Sequence, residues 1–331
     1  MKRVLWVLAF MAVLFGMAAG ACAAEKRWSL AHIRPEGTAI DVALKDFALK
    51  VREKTNGRVD IAIFPASQLG DYTTVQERIS VGDIDMQCAP LSPAVIKQIG
   101  LNSMPYLVIN WAEAHKAFGP DGVIVKKMNE YMEKQDLHVI GSWPVYFGGV
   151  VLTKEPPAPA DPNVPKNIKI RVPPIRSFEL CASALGYQAT PVPWADTFTA
   201  MQTGIVEGAI GGGAEGYYAN FRDLAKYYLA VNDHFECWFL YINNEKWGKV
   251  SADDKKAITD LAREMQEARW KVAESDEKAN MKKLADMGVK VITFSDAELE
   301  TMRKKNAEKV WPPMYVEIPE SDIRAVLDSL K

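Results

Sequence analysis

"DFALKVREKTNGRVDIAIFPASQLGDY", residues 46–72, decides the fold class. Its first part continues a helical face: Ile40, Ala43, Leu44, Phe47 and Val51 recur at helical spacing, and Asn56-Gly57 breaks the run. "RVDIAIF" then alternates as a strand, and Pro65 closes it. A strand over residues 27–33 precedes this helix, and a short helix over 76–81 leads to a third strand over 84–89. Strand and helix therefore alternate, which predicts an α/β fold in which helical crossovers join strands of mostly parallel character.

The same alternation continues outward. "LHVIGSW" and "GGVVLTK" read as strands, and the proline-rich residues 154–165 read as a surface loop separating a second unit. That unit opens with Ile168, Ile170 and Val172 alternating against Lys169 and Arg171, and Pro173-Pro174 stops it. A helix over 196–203 and a strand over 206–210 follow. "CWFLYIN" reads as a strand returning to the first sheet. Ser251 caps a long helix over 252–287, with Ala257, Ile258, Leu261 and Met265 on one face. The strand "VKVITF" and a helix over 296–309 complete the chain. The expected organisation is a first lobe over 24–148, a second over 149–234, a return strand over 235–251, one helix over 252–287 spanning both lobes, and second-lobe elements over 288–331.

The N-terminus reads as a cleavable signal peptide over residues 1–23. Lys2 and Arg3 precede an uncharged apolar run over 4–19, and Ala21-Cys22-Ala23 supplies small residues for cleavage. Residues 19–22 also loosely match a lipobox in which Cys22 would be acylated. No later stretch approaches the ~18–20 apolar residues a membrane span needs. Export leaves roughly 300 residues, enough for two domains. The net charge of −2, with basic residues scattered, speaks against nucleic-acid binding. Cys88, Cys181 and Cys237 fit no metal spacing; one disulfide or buried free thiols are both compatible with the count.

Catalytic signals are weak. His32, His115, His138 and His234 show no metal-binding spacing, and no nucleophile elbow occurs. "GGGAEG" (residues 211–216) matches a dinucleotide-binding glycine pattern, with Glu236 at the distance of a ribose-binding acid. An exported protein meets little dinucleotide, so the glycines are better read as making room for a ligand near the backbone. Arg171 raises a sharper question, because a guanidinium at the end of a buried strand needs an anion. An internal carboxylate or a ligand would meet it.

Several segments together resemble the solute-binding proteins of tripartite ATP-independent periplasmic (TRAP) transporters, the DctP-like family. Pro65, Ser67, Gln68, Leu69 and Gly70 are similar to its "P-x-S-Q-L-G" turn, "RISVGDIDMQCA" to its "G-x-(I/L)-D-M" strand, "NIKIRVPP" to the strand holding its signature arginine, and residues 191–210 to its "A-L-Q-x-G-x-V-D-G" segment. The resemblance covers essentially the whole exported chain. It implies a two-lobed periplasmic receptor, performing no chemistry on its solute and using no cofactor or metal, which closes as a monomer over an organic acid and delivers it to small and large membrane permease subunits. Arg171 would grip the carboxylate in two parallel bonds.

Departures from the family pattern shape the expected ligand. A second arginine is replaced by Val150, an asparagine corresponds to Gly211, and Trp194 holds the aromatic position. These changes predict a larger, less polar pocket suited to an aromatic monocarboxylate of indole or phenyl type. The other expected wall residues are His32, Arg34, Tyr72, Gln87, Ala89, Phe147, Pro174, Gly212 and Trp238. Arg34 as a second cation keeps open a small dicarboxylate or a hydroxy or keto acid. A ligand-sensing module, a binding protein of an ATP-driven importer and a periplasmic hydrolase are the rival readings.

Overall fold

The computed structural model describes residues 27–331. The expected signal peptide and Cys22 lie outside the described residues.

Two sheets form the framework. The first is built from β1 (Trp28–Ala31), β2 (Ile61–Phe64), β3 (Met86–Ala89), β4 (Leu137–Phe147) and β10 (Phe235–Asn243), in the order β2-β1-β3-β10-β4. The second holds β5 (Gly149–Leu152), β6 (Lys169–Val172), β7 (Gln188–Pro191), β8 (Gly208–Gly212), β9 (Tyr227–Leu229) and β11 (Lys290–Ile292), in the order β11-β9-β5-β8-β6-β7. Both sheets are mixed. β1 runs parallel to β2 and β3, whereas β10 is antiparallel to β3 and β4. In the second sheet β5 runs against β8 and β9. The strands that break the parallel pattern are those at the crossings between sheets, since β4 passes to β5 through Gly148 and β10 returns from the second sheet.

The helix Ala39–Lys54 buries Ile40, Leu44, Phe47 and Val51 against the first sheet, as its spacing predicts. Asp71 caps the helix Tyr72–Ser80 by accepting from Thr73 N. Each lobe has its own core: Ile79, Leu101, Met128 and Phe239 lie in the first, and Ile170, Val172, Phe178 and Ile210 in the second. A further apolar cluster, containing Tyr146, Trp194, Tyr217 and Trp238, runs between the sheets.

Two expectations about organisation are corrected. Residues 252–287 are not one helix but two, Ala252–Trp270 and Ala273–Asp286. No Gly or Pro marks the break. It is fixed by Arg269, whose guanidinium reaches the carbonyls of Pro144 and Val145 in β4 and pairs with Asp276 beyond the break. Ala252–Trp270 packs on β4 and the helix Ala39–Lys54, and Ala273–Asp286 packs on the helix Ala214–Phe221 and β11 as well as β4. The last helix, Glu320–Leu330, does not stay with the second lobe. It packs on the first-lobe helices Trp111–Phe118 and Val123–Glu133, where Tyr131 hydrogen-bonds Asp322 and Ile323 and Val326 join the core.

Candidate functional site

A cavity lies between the lobes, lined by residues of both, including Arg34, Tyr72, Asn102, Tyr146, Arg171, Trp194 and Glu236. The free space inside is small, about 30 Å³, the room of roughly two or three water molecules.

Arg171 is third in β6, a strand flanked by β7 and β8, and Pro173, lacking an N–H, ends the ladder just beyond it. Carbonyls beside both flanking strands hold the guanidinium: Nε donates to Val192 O at 2.8 Å and Nη1 to Ile210 O at 3.2 Å. The residue is only 1% exposed. Burial pulls its pKa below the usual arginine value, partly countered by Tyr72 and Tyr217. Among the described residues no carboxylate forms an ion pair with it, so the internal-carboxylate reading of Arg171 is not met.

Trp194 begins the short 3-10 turn Trp194–Asp196 after β7. Two guanidinium groups lie over its ring, Arg171 at 5.4 Å and Arg34 at 5.0 Å from the centroid. Arg34 also lies 4.7 Å from the Trp238 ring centroid. Desolvated cation–π contacts of this kind contribute about 2 kcal/mol. Arg34 follows β1 in the first lobe, yet its Nε pairs with Glu215 Oε2 at 2.7 Å, in the first turn of the second-lobe helix Ala214–Phe221. Its Nη2 donates to Tyr146 OH at 3.2 Å, and its Nη1 is buried without a partner. Burial works against its charge, but Glu215 and Tyr146 outweigh this and keep the guanidinium firmly protonated. A second bond across the lobes runs from Ala195 N to Asp71 Oδ2 at 3.3 Å. These bonds define a closed arrangement.

Behind the cavity, Glu236 accepts from Trp238 Nε1 at 2.6 Å and from His234 Nε2 at 2.8 Å, while His234 Nδ1 bonds Asp233 Oδ2 at 2.7 Å. Burial alone would lower the His234 pKa, but the two carboxylates raise it to about 10, so the ring is an imidazolium donating from both nitrogens.

Of the expected wall residues, Arg34, Tyr72, Arg171, Trp194 and Gly211 line the cavity. The others are near but occupied. His32 pairs with Asp41, Gln87 accepts from Tyr241 OH, and Ala89 stands opposite Phe239 in the sheet. Pro174 gives way to its neighbour Pro173 on the lining, Gly212 packs on Tyr217 and Trp194, and Trp238 lies beneath Arg34. Phe147 is corrected to a core residue. Its ring meets Trp111 and Phe235 edge-on, and Tyr146 lines the cavity instead. A bulge explains the shift: Glu236 stands opposite Tyr146 and Cys237 opposite Pro144, leaving Val145 as an extra residue that reverses the alternation.

The expectation of a larger pocket is corrected, although much of the lining is apolar, with Ile33, Pro90, Leu91, Ile175 and Phe178 beside the polar groups. The glycines of residues 211–216 do vacate space, but the protein's own side chains fill it. A Cβ on Gly211 would meet Pro173 at 2.5 Å, one on Gly212 would meet Tyr217 at 2.9 Å, and one on Gly216 would meet Arg34 Nη2 at 2.6 Å. The helix after them opens with Glu215, a charge that would repel the phosphates of a dinucleotide. Asn102, Ser103, Tyr146 and Glu236 are lining residues that the sequence reading missed. Asn102 and Ser103 end the 3-10 helix Lys97–Ser103, whose sequence carries no periodicity to place them.

The three cysteines of the described residues are buried free thiols. No set of three His, Cys, Asp or Glu side chains among the described residues is placed to hold a metal ion, and none of their helices is long and apolar enough to cross a membrane.

The family "Bacterial extracellular solute-binding protein, family 7" (DctP) matches residues 30–317. A solute-binding protein of Chromohalobacter salexigens is 23% identical over 87% of this chain and 85% of its own length. Among solved structures, a TRAP periplasmic solute-binding protein of the same organism with bound D-glucuronate superposes with a TM-score of 0.83 at 21% identity, covering 91% of this chain and 99% of that one. One from Desulfovibrio salexigens with bound orotic acid gives 0.83 at 20%, covering 92% and 98%. These likenesses are to solute receptors rather than enzymes, and they agree with the two-lobed α/β frame. With the family match spanning most of its length, the chain belongs to the DctP family of bacterial extracellular solute-binding proteins.

Proposed function

We propose that the protein is the extracytoplasmic receptor of a TRAP transporter, exported by its N-terminal signal, and that it binds an organic acid through a carboxylate on Arg171. The observation that carries this reading is a guanidinium 1% exposed, held by two carbonyls and unpaired with any carboxylate of the described residues. Leaving such a charge buried is costly, and an incoming carboxylate relieves the cost with charge-assisted bonds. Binding closes the lobes about the cleft, and the closed form is what the membrane permease subunits receive. A single chain suffices.

The geometry favours a compact polar acid over an indole or phenyl acid. Trp194 and Trp238 already face guanidinium groups, and Phe147 lies in the core. The relatives with D-glucuronate and orotic acid both hold carboxylate solutes, one a polyol and one a flat ring. The test is a thermal-shift screen of organic acids on the exported chain, repeated with Arg171→Lys. A ligand at a hundred times its Kd adds about 2.7 kcal/mol. Lysine keeps the charge and loses the planar fork, so the shift should collapse. An undiminished shift in the lysine variant refutes the reading, and indole acids outranking small hydroxy acids refute the ligand class.

A further inference from the structure

Besides the two strand crossings, one side chain joins the lobes. Met104, Leu107 and Val108 lie in the first-lobe core, yet Tyr106 among them is buried in the second-lobe core with Val150, Ile210 and Leu229. Its φ of 56° lies in the left-handed region, unusual for so bulky a residue, and the ring turns away from the core its neighbours share. Both ends of Tyr106 are tied to the chain that passes from β9 to β10. Its N–H donates to Asp233 O at 2.7 Å and its hydroxyl to Val231 O at 3.1 Å. A motion of one lobe on the other that keeps this peg and both bonds must turn about it.

Cavities lie to either side of that peg. The stretch 102–110 runs from Asn102 in the cleft wall to Ile109 and Asn110 in a separate groove, and the crossing chain runs from Glu236 in the cleft to Asn232 in the groove. Tyr106 lines the groove as well. The opposite wall is Glu300 and Arg303 of the helix Asp296–Lys309, which packs on the second-lobe helix Arg176–Ala184 and gives the cleft no residue. Free space is about 390 Å³ in the groove and about 30 Å³ in the closed cleft. Cavities on opposite sides of a pivot exchange volume, so the groove narrows as the cleft opens. We propose that the groove is a counter-cleft that sets the open–closed balance, with Tyr106 as its pivot, so that bulk lodged in it holds the cleft shut. This inference rests on the hinge closure proposed above, not on the carboxylate at Arg171. It gives affinity a control remote from the solute, because a receptor closed more of the time binds with a lower apparent Kd.

The experiment fills the groove from each wall separately, with Glu300→Trp and Ile109→Trp. Glu300 is a mild site, since its nearest cations are 3.8 and 4.0 Å away; Glu300→Ala controls for its charge. Spin labels at Val81→Cys and Ile205→Cys, exposed positions on the first and second lobes, report the interlobe distance by pulsed EPR, the native thiols being buried. Without any acid, each tryptophan variant should move population from the long to the short distance, and Glu300→Ala should not. Calorimetry with succinate, D-glucuronate and orotate should show any acid that binds wild type binding the filled variants about fivefold or more tighter. In a Tyr106→Leu background the fillers should lose at least half of this effect. Distances and affinities unchanged by both fillers overturn the inference, as does Glu300→Ala reproducing the shift. A filler that keeps its full effect in Tyr106→Leu removes Tyr106 as pivot. Should one filler fail to fold, the other carries the test. An acid that binds wild type without shortening the distance brings down hinge closure itself, whereas acid binding untouched by Arg171→Lys brings down only the carboxylate reading.

Discussion

Replacing Glu215 with glutamine removes one charge from an ion pair whose partners sit in different lobes. Arg34 Nε and Glu215 Oε2 are 2.7 Å apart, with side chains 1% and 15% exposed, so solvent screens the pair little. Charge centres about 4 Å apart attract by roughly 4 kcal/mol at an effective dielectric constant near 20. The amide of glutamine still accepts a hydrogen bond from Nε and recovers part of this, leaving a loss of about 2–3 kcal/mol. Opening separates the partners, so the loss falls on the closed form rather than on the folding of either lobe. For a solute that binds the closed form, the apparent Kd should rise about 30- to 150-fold. Titration calorimetry with the tightest acid of the panel measures this. Affinity within about threefold of wild type would refute the idea that this pair holds the lobes together.

Gly216→Ala places a methyl 2.6 Å from Arg34 Nη2 and 3.4 Å from the Trp194 ring. It should displace the guanidinium and weaken acid binding about tenfold or more, as read by calorimetry; unchanged affinity would show that Arg34 is not held in place there. Glu277 provides a pH test. Burial raises its pKa to about 7, against the bonds it accepts from Phe147 N at 2.7 Å and Trp111 Nε1 at 2.9 Å. Its folded pKa lies above the unfolded value of 4.5, so the folded state holds the extra proton in between. The stability it contributes is therefore full below about pH 4.5 and is lost as pH rises through 7. Urea unfolding should show Glu277→Gln gaining about 2–3 kcal/mol relative to wild type between pH 5 and pH 8, and a pH-independent difference would contradict this.

The local grammar of the chain was readable where one residue type has one physical use. Ile61 and Ile63 before Pro65, and Ile170 and Val172 before Pro173, place strands and their ends without tertiary information. Arg171 could be singled out because a buried guanidinium is expensive. The paired-lobe frame followed from strand and helix alternation, helped by family-like segments spread along the chain. What could not be read depends on distant partners. The break after Trp270 exists because Arg269 reaches β4, and nothing at Lys271 or Val272 announces it. The exchange of Phe147 for Tyr146 on the cavity wall comes from a bulge defined only by the facing strand. The glycines were rightly read as absent side chains, but their space was assigned to a guest when Tyr217, Pro173 and Arg34 already held it.

The junction at Gly148 has a mechanical consequence. Its N–H donates to His234 O at 2.8 Å, lashing together the strands of chain that leave and re-enter the first sheet, and a methyl there would strike the His234 ring and Asp233. Two spans tied at one point behave like the stitched spine of a book. The covers can swing apart, but shear between them strains the stitch, and so cargo should enter and leave along a single arc.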